Sequence, residues 1–433
     1  MAQVKSEDFV SRHANASDSQ RPLSLCFASA DYPLDGAPAG GGIGAHAYTL
    51  AHGIAALGHH VLVLTQSNSA ATQFWDGKVR VLALESVAPR YWKLGRFVPV
   101  PWVRRSFAVW RALVRLRREH PVDLVRFPDG YGEGFCFSCS PFAPFAIHLH
   151  GPASLVQRWD GRFVPPMRSR VEELLERHPA RRAALLVAGT KGFGDLLAAK
   201  WGLDRSRIRI IRNPVDIEKF CPRPTAPRPS KKTVLFAGHL QWIKGLSVLA
   251  AAIPRVLAEH AEVEFQFIGN DTKSAPGGGS MRRFMENSLA PTGALRRVSF
   301  LEPLPQSELV NRYRACAALV LPSFREAYGN VVIEAMACAC PCVVTSGVGA
   351  SELIADGKTG FVVPPDNPEE LARAISRLLA MPDAALDELG RQARATVERT
   401  SALPVIAAQT VEAYRGVICA NPAKSLSSAL AAL

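Results

Sequence analysis

The chain has 433 residues, 48% of them hydrophobic and 21% charged. That length implies two or three domains, and that composition excludes a disordered chain. The formal charge of +13 is uneven, with +10 in residues 1–220 and +3 in residues 221–433. A basic first half would favour a phosphorylated substrate, an anionic membrane or nucleic acid.

Residues 1–20 are polar and mixed in charge and are expected to form a mobile tail without a signal-peptide core. No apolar run approaches the ~18 residues of a spanning helix. The best stretch, Phe135 to Leu149, is broken by Pro141, Pro144 and His148. Nine cysteines, an odd number, with no secretory leader argue against a disulfide framework and for the reducing cytoplasm.

In chain order, Leu23–Phe27 reads as a buried strand. A glycine-rich loop follows, then a helix from Tyr48 to Leu57 that Gly58 would stop. Val61–Leu64, Leu124–Val125, Phe145–Ile147 and Ala183–Val187 continue the strand-like runs, with helical patterns between them. Pro222 to Ser230 holds four prolines in nine residues and marks a linker over 221–231. The alternation then restarts with Val234–Phe236, a helix over Leu246–Leu257, and strands at Phe265–Ile268, Leu319–Leu321 and Cys342–Thr345. Pro404–Val417 reads as a last helix. The pattern predicts two α/β domains with parallel sheets, 21–220 and 232–400, followed by a terminal helix over 401–418. Ligands in such folds sit at the C-terminal strand edges, so the cleft between the domains is the expected site.

Gly40-Gly-Gly-Ile-Gly44 lies between the first strand and first helix, where clustered glycines let amides approach a phosphate. Gly40, Gly42 and Ala45 also fit G-x-G-x-x-A. The long loop before the glycines, and Thr65-Gln66 where an acidic ribose ligand belongs, argue against a dinucleotide. His148 and His150 alternate at a strand end and point the same way. They would suit a metal, but no third ligand is evident in the sequence nearby, and histidines satisfied at a strand edge give the same pattern. Gly238 to Gly245 places Lys244 at a cleft rim before a helix. In Pro322 to Met336, Glu326 lies in a loop, Gly329 and Asn330 open a helix, and Glu334 lies about one turn inside it. Carboxylates accept hydrogen bonds from paired hydroxyls, and amides at a helix start suit a diphosphate. The alternating Cys338, Cys340 and Cys342 and the single Cys136-x-x-Cys139 lack a completing pair and read as small buried thiols. Asp271–Met285, with Gly277-Gly-Gly279, reads as a loop.

From about Leu23 to Val417 the chain resembles the retaining glycosyltransferases of family GT4, of the GT-B type with two Rossmann-like domains. Five blocks stand in family order: Gly40–Gly44, His150-Gly151, Asn213-Pro-Val-Asp216 with Phe220, Gly238 to Gly245, and Glu326-x7-Glu334. The resemblance implies a nucleoside-diphosphate sugar as donor and a hydroxyl acceptor, a sugar or lipid-linked molecule. Lys244 would contact the diphosphate, Glu326 the sugar hydroxyls and Glu334 the ribose. Amides near Gly329, Asn330 and Val331 would cradle phosphate from the second domain, and Gly42 and Ile43 from the first. His150 would face the transferred sugar, and the last helix would cross back to the first domain. The family's mechanism is a front-face substitution in which phosphate helps deprotonate the acceptor. The chain departs from the family at His239, where an arginine is usual, at Ala339 and Ala350, where glycines are frequent, and at Glu302. No Asp-x-Asp motif occurs, so neither a metal clamp nor any cofactor is expected.

Two rivals share features with this reading: a sugar-nucleotide epimerase or phosphorylase on the same fold, and a basic nucleic-acid-binding protein. No pyridoxal-phosphate lysine context and no nucleic-acid module is present, so nucleic acid is not an expected partner. Trp102–Arg118 has helical period, with Arg104, Arg111, Arg115 and Arg118 in one stripe. Val103, Phe107, Val109, Trp110, Leu113, Val114 and Leu116 fill the remaining arc, interrupted by Arg117. Arg90 to Phe97 adds further aromatics and cations before it. An ordinary sheet-covering helix gives this pattern, and so does peripheral contact with an anionic membrane carrying an envelope-glycan acceptor.

Overall fold

A computed structural model of the chain describes residues 21–34, 41–67, 70–86, 97–161, 163–222 and 232–421. The expected tail, Gly40 of the glycine loop, most of the proline-rich linker and most of Arg90–Phe97 lie outside the described residues.

The first domain runs β1 (Ser24–Ala28), α1 (Gly42–Ala56), β2 (His60–Ser67), β3 (Thr72–Asp76), β4 (Val79–Glu85), α2 (Val100–Glu119), β5 (Leu124–Pro128), α3 (Phe135–Cys139), β6 (Phe145–Leu149), α4 (Ala153–Trp159), α5 (Pro166–Arg182), β7 (Leu185–Ala188), α6 (Lys191–Trp201) and β8 (Ile208–Ile210). Its strands pair in the order β3-β4-β2-β1-β5-β6-β7-β8, all parallel except the edge strand β3. The inner strands are buried on both faces, which is why they read as continuous apolar runs.

The second domain runs β9 (Thr233–Ala237), α7 (Leu246–Glu259), β10 (Glu264–Ile268), α8 (Met281–Leu289), β11 (Val298–Leu301), α9 (Gln306–Ala315), β12 (Ala318–Leu321), α10 (Asn330–Ala337), β13 (Cys342–Thr345), β14 (Phe361–Val363), α11 (Pro368–Leu379) and α12 (Asp383–Thr400). Its sheet is parallel, in the order β11-β10-β9-β12-β13-β14. The stretch expected to loop to Met285 turns helical at Met281, because Ser280 caps α8 by accepting from the Arg283 amide.

Among the parallel strands of each sheet the order reverses once, between β1 and β5 in the first and between β9 and β12 in the second. Crevices open at such switch points, and the loops leaving β1, β9 and β12 carry the expected site residues. The last helix, α13 (Leu403–Ala420), packs on α1 of the first domain. Its Tyr414 hydroxyl lies 2.8 Å from His148 Nε2.

The domains also meet across the cleft. The Glu352 carboxylate accepts from the amides of Lys191 (3.2 Å) and Gly192 (2.9 Å) at the start of α6. Asp160 accepts from the Ile243 amide at 3.3 Å.

Helix α2 is a sheet-covering helix. Ser106, Val109, Leu113 and Leu116 form its buried face, whereas Phe107 is 50% exposed. Arg111, Arg115 and Arg118 are exposed, while Arg104 turns with Arg105 into a cavity of about 350 Å³ lined also by Gln66, Trp102 and Tyr131. No helix among the described residues is long and apolar enough to cross a membrane.

Candidate active site

Two helix starts converge from opposite domains. Helix α1 begins at Gly42 and α10 at Asn330, and among the described residues neither has a side-chain cap or an acidic residue in its first turn. Their first amides and the positive ends of their dipoles are therefore available to an anion. Asn330 Nδ2 reaches the Gly42 carbonyl at 3.5 Å, and Asn330 Oδ1 accepts from Asn213 Nδ2 at 2.7 Å. Gly329 sits at φ 94°, and a β-carbon there would press on Val348, so the turn into α10 excludes larger residues. Gly44 is held still more closely, against the Asp31 carbonyl, which brings α1 down onto the loop after β1.

Lys244 and Glu326 meet as an ion pair at the cleft, each side chain 19% exposed. They come from the loops after β9 and β12, adjacent strands in the second sheet. His239 is exposed at the same rim. Local desolvation and the Lys244 charge hold its imidazole below the usual range. Glu334 lies one turn into α10, where its carboxylate accepts from Tyr313 Oη at 3.0 Å. Burial pushes it up to about 7, against the pull of Tyr313 and Lys219. Val331 is half-buried beside Asn330, and the Ile43 side chain approaches Gly130 in the first domain.

His150 belongs to a cluster that the sequence did not disclose. Asp129, at the end of β5, accepts from the His150 amide (2.9 Å) and the Gly151 amide (3.2 Å) and so shapes the turn. Burial raises Asp129 to about 7 despite those bonds. A β-carbon on Gly151 would lie 3.6 Å from Ala327 Cβ, so this turn faces the Glu326–Gly329 loop across the cleft. Arg126, fully buried on β5, donates to His150 Nε2 (2.7 Å) and to His46 Nδ1 on α1 (3.2 Å).

The expectation that no third ligand accompanies His148 and His150 needs correction. His46, 102 positions before His148, brings a third imidazole, and one ligand atom from each of the three lies within 4.8 Å of the others. The set does not fit a metal ion. The Arg126 guanidinium occupies the lone pairs of His46 Nδ1 and His150 Nε2 and would repel a cation. Burial holds all three rings well below their usual range, with the Arg126 charge adding to it at each and the His150 ring adding to it at His46 and His148.

Both the fold and this paired-helix cleft define a GT-B architecture. Comparison with known proteins agrees. Residues 40–219 match the Glycosyltransferase Family 4 model and residues 231–381 the Glycosyl transferases group 1 model. The chain belongs to this family of glycosyltransferases. It is 31% identical over 223 residues to a D-inositol 3-phosphate glycosyltransferase of Streptomyces bingchenggensis, a match covering 49% of each chain. The chain thus spans about half the length of that curated relative. Its fold is similar to sucrose-phosphate synthase from Thermosynechococcus elongatus, with TM-score 0.75, 22% identity, and coverage of 92% of this chain and 100% of the other. It is also similar to Anabaena HepE in complex with UDP-glucose, with TM-score 0.66, 19% identity, and coverage of 90% and 98%.

Proposed function

We propose that the chain transfers a hexosyl group from a nucleoside-diphosphate sugar to a hydroxyl acceptor, with retention of configuration. The observation that carries this is the convergence of the α1 and α10 helix starts beside the Lys244–Glu326 pair. The diphosphate would lie across the two helix starts, with Lys244 leaving Glu326 for a phosphate oxygen. Donor hydroxyls would replace the ammonium on Glu326, and ribose hydroxyls would donate to Glu334. In the reaction the bond from the sugar's C1 to the phosphate oxygen breaks and the acceptor oxygen bonds C1 on the same face. The acceptor's proton passes to the departing phosphate. Charge that develops on the leaving group meets Lys244 and the oriented amides, so no strong general acid is required.

We assign that neutralisation to the protein alone, without a metal ion. We place the acceptor against the first domain and, for a lipid-linked or envelope-glycan acceptor, add peripheral contact at the inner membrane face through α2. The known complex of a fold neighbour with UDP-glucose supports testing a uridine donor first. Calorimetry with UDP, GDP and ADP, followed by a donor-hydrolysis screen across nucleotide sugars, tests the reading. Binding of one nucleoside diphosphate and cleavage of a matching sugar are expected. Absence of both contradicts it. Turnover unchanged by chelator is the expected outcome for the metal-free assignment.

A further inference from the structure

Arg126 has 0% exposure, an uncommon position for a guanidinium. It stands over the Phe27 ring with its Cζ 5.4 Å from the centroid. Its Nε and Nη1 have no hydrogen-bond partner among the described residues, whereas Nη2 serves both His46 Nδ1 and His150 Nε2. A guanidinium has donors and no acceptor, so each imidazole must offer it a lone pair. A neutral imidazole has a single N–H. His150 therefore carries its proton on Nδ1 and His46 on Nε2. The other groups facing His150 do not compete for Nε2. His148, beside it on β6, contacts Tyr414, and Asp129 takes the His150 backbone amide rather than the ring.

We propose that Arg126 is a positioning residue that locks His150 as the Nδ1–H tautomer and keeps it from becoming a cation, so that it meets the transferred sugar as a neutral hydrogen-bond donor. The inference rests on the reading that His150 faces that sugar. The lock suits the chemistry. Positive charge develops on a sugar ring as its C1 bond breaks, and a neighbouring imidazolium would oppose it. A neutral N–H can bind a hydroxyl without that repulsion.

The test uses the full chain with 15N-labelled histidine, read by long-range proton–nitrogen correlation, with His150→Gln to assign the ring. In the wild type the Nδ1–H pattern is expected, unchanged between about pH 6 and 8. In Arg126→Met the ring should populate Nε2–H and titrate higher than in the wild type, while burial still holds it below the ordinary range. Turnover should fall by roughly 100-fold and gain an acidic limb. Arg126→Lys, which keeps a cation and one donor nitrogen, should restore the neutral Nδ1–H ring and part of the turnover. An Nε2–H ring in the wild type overturns the proposal. So does an unchanged tautomer and pH profile in folded Arg126→Met. If Arg126→Met does not fold, the wild-type tautomer and Arg126→Lys decide. Full turnover in His150→Ala would instead refute the placement of His150 on the sugar, and the nitrogen spectrum would still judge the lock.

Discussion

The Lys244 ammonium lies against the Glu326 carboxylate although the two residues are 82 positions apart. The pairing of β9 with β12 in the sheet brings their loops together at one edge. Each group is kept ready by the other, and a donor would separate them. Lys244→Ala and Glu326→Ala should each remove most turnover, about 3–4 kcal/mol of transition-state stabilisation, while leaving the far-ultraviolet spectrum intact. The double variant should cost less than the sum, because each single change also strands a partner. Steady-state kinetics on the three proteins checks this, and near-wild-type turnover of folded Lys244→Ala contradicts the assignment.

Donor binding should tighten as pH rises through about 7. An unfolded glutamate loses its proton near 4.5, whereas folded Glu334 keeps it to about 7. Between those values the folded state holds the extra proton, so this group makes folding less favourable as pH climbs. In the proposed donor complex ribose hydroxyls would donate to the ionised form, so donor binding should release a proton near neutral pH. Calorimetry in buffers of different ionisation enthalpy reads that proton. Glu334→Gln should abolish both the release and the pH dependence.

His239→Arg should tighten nucleoside-diphosphate binding at pH 8 by about tenfold, or ~1.4 kcal/mol. An ordinary imidazole is already neutral at that pH, and desolvation and Lys244 lower this one further, whereas a guanidinium keeps its charge and can bind phosphate through two N–H groups. The gain should shrink with added salt. Equal affinity in both proteins would place His239 outside the diphosphate site.

Ala339→Gly should stabilise the fold by about 0.5–1 kcal/mol, read as a rise in Tm. Ala339 sits at φ 56° in the turn after α10, a conformation that costs an alanine β-carbon ~1–2 kcal/mol. The greater freedom of glycine in the unfolded chain returns part of this. The glycine frequent at this position in the family thus has a backbone cause.

If α2 contacts a membrane, vesicles containing anionic lipid should sediment the protein and neutral vesicles should not. Arg111, Arg115 and Arg118 are exposed, with Phe107 beside them, and each cation would contribute ~1 kcal/mol in a salt-sensitive manner. Unchanged binding in Arg111→Glu/Arg115→Glu/Arg118→Glu, or no binding at all, would leave α2 as a sheet-covering helix alone.

Sequence by itself determined the two-domain alternation, because strands buried on both faces must be apolar throughout, as Val234–Phe236 and Cys342–Thr345 are. It also determined the Glu326-x7-Glu334 block, whose spacing lies within one loop and one helix turn. The edge hairpin β3–β4 was not legible, since Thr72–Asp76 is largely solvated and carries no apolar run. Nor was the cluster around His150. His46, Arg126, Asp129 and His150 come from α1, the end of β5 and the end of β6, and Arg126 is 80 residues from His46. Only the crossover order β1-β5-β6 brings them to one edge. A lone arginine in an apolar strand gives no local sign of its partners, because its hydrogen bonds run between strands and to a helix rather than along the chain. Tertiary structure alone therefore decided that this histidine motif is an arginine-held imidazole cluster and not a metal site.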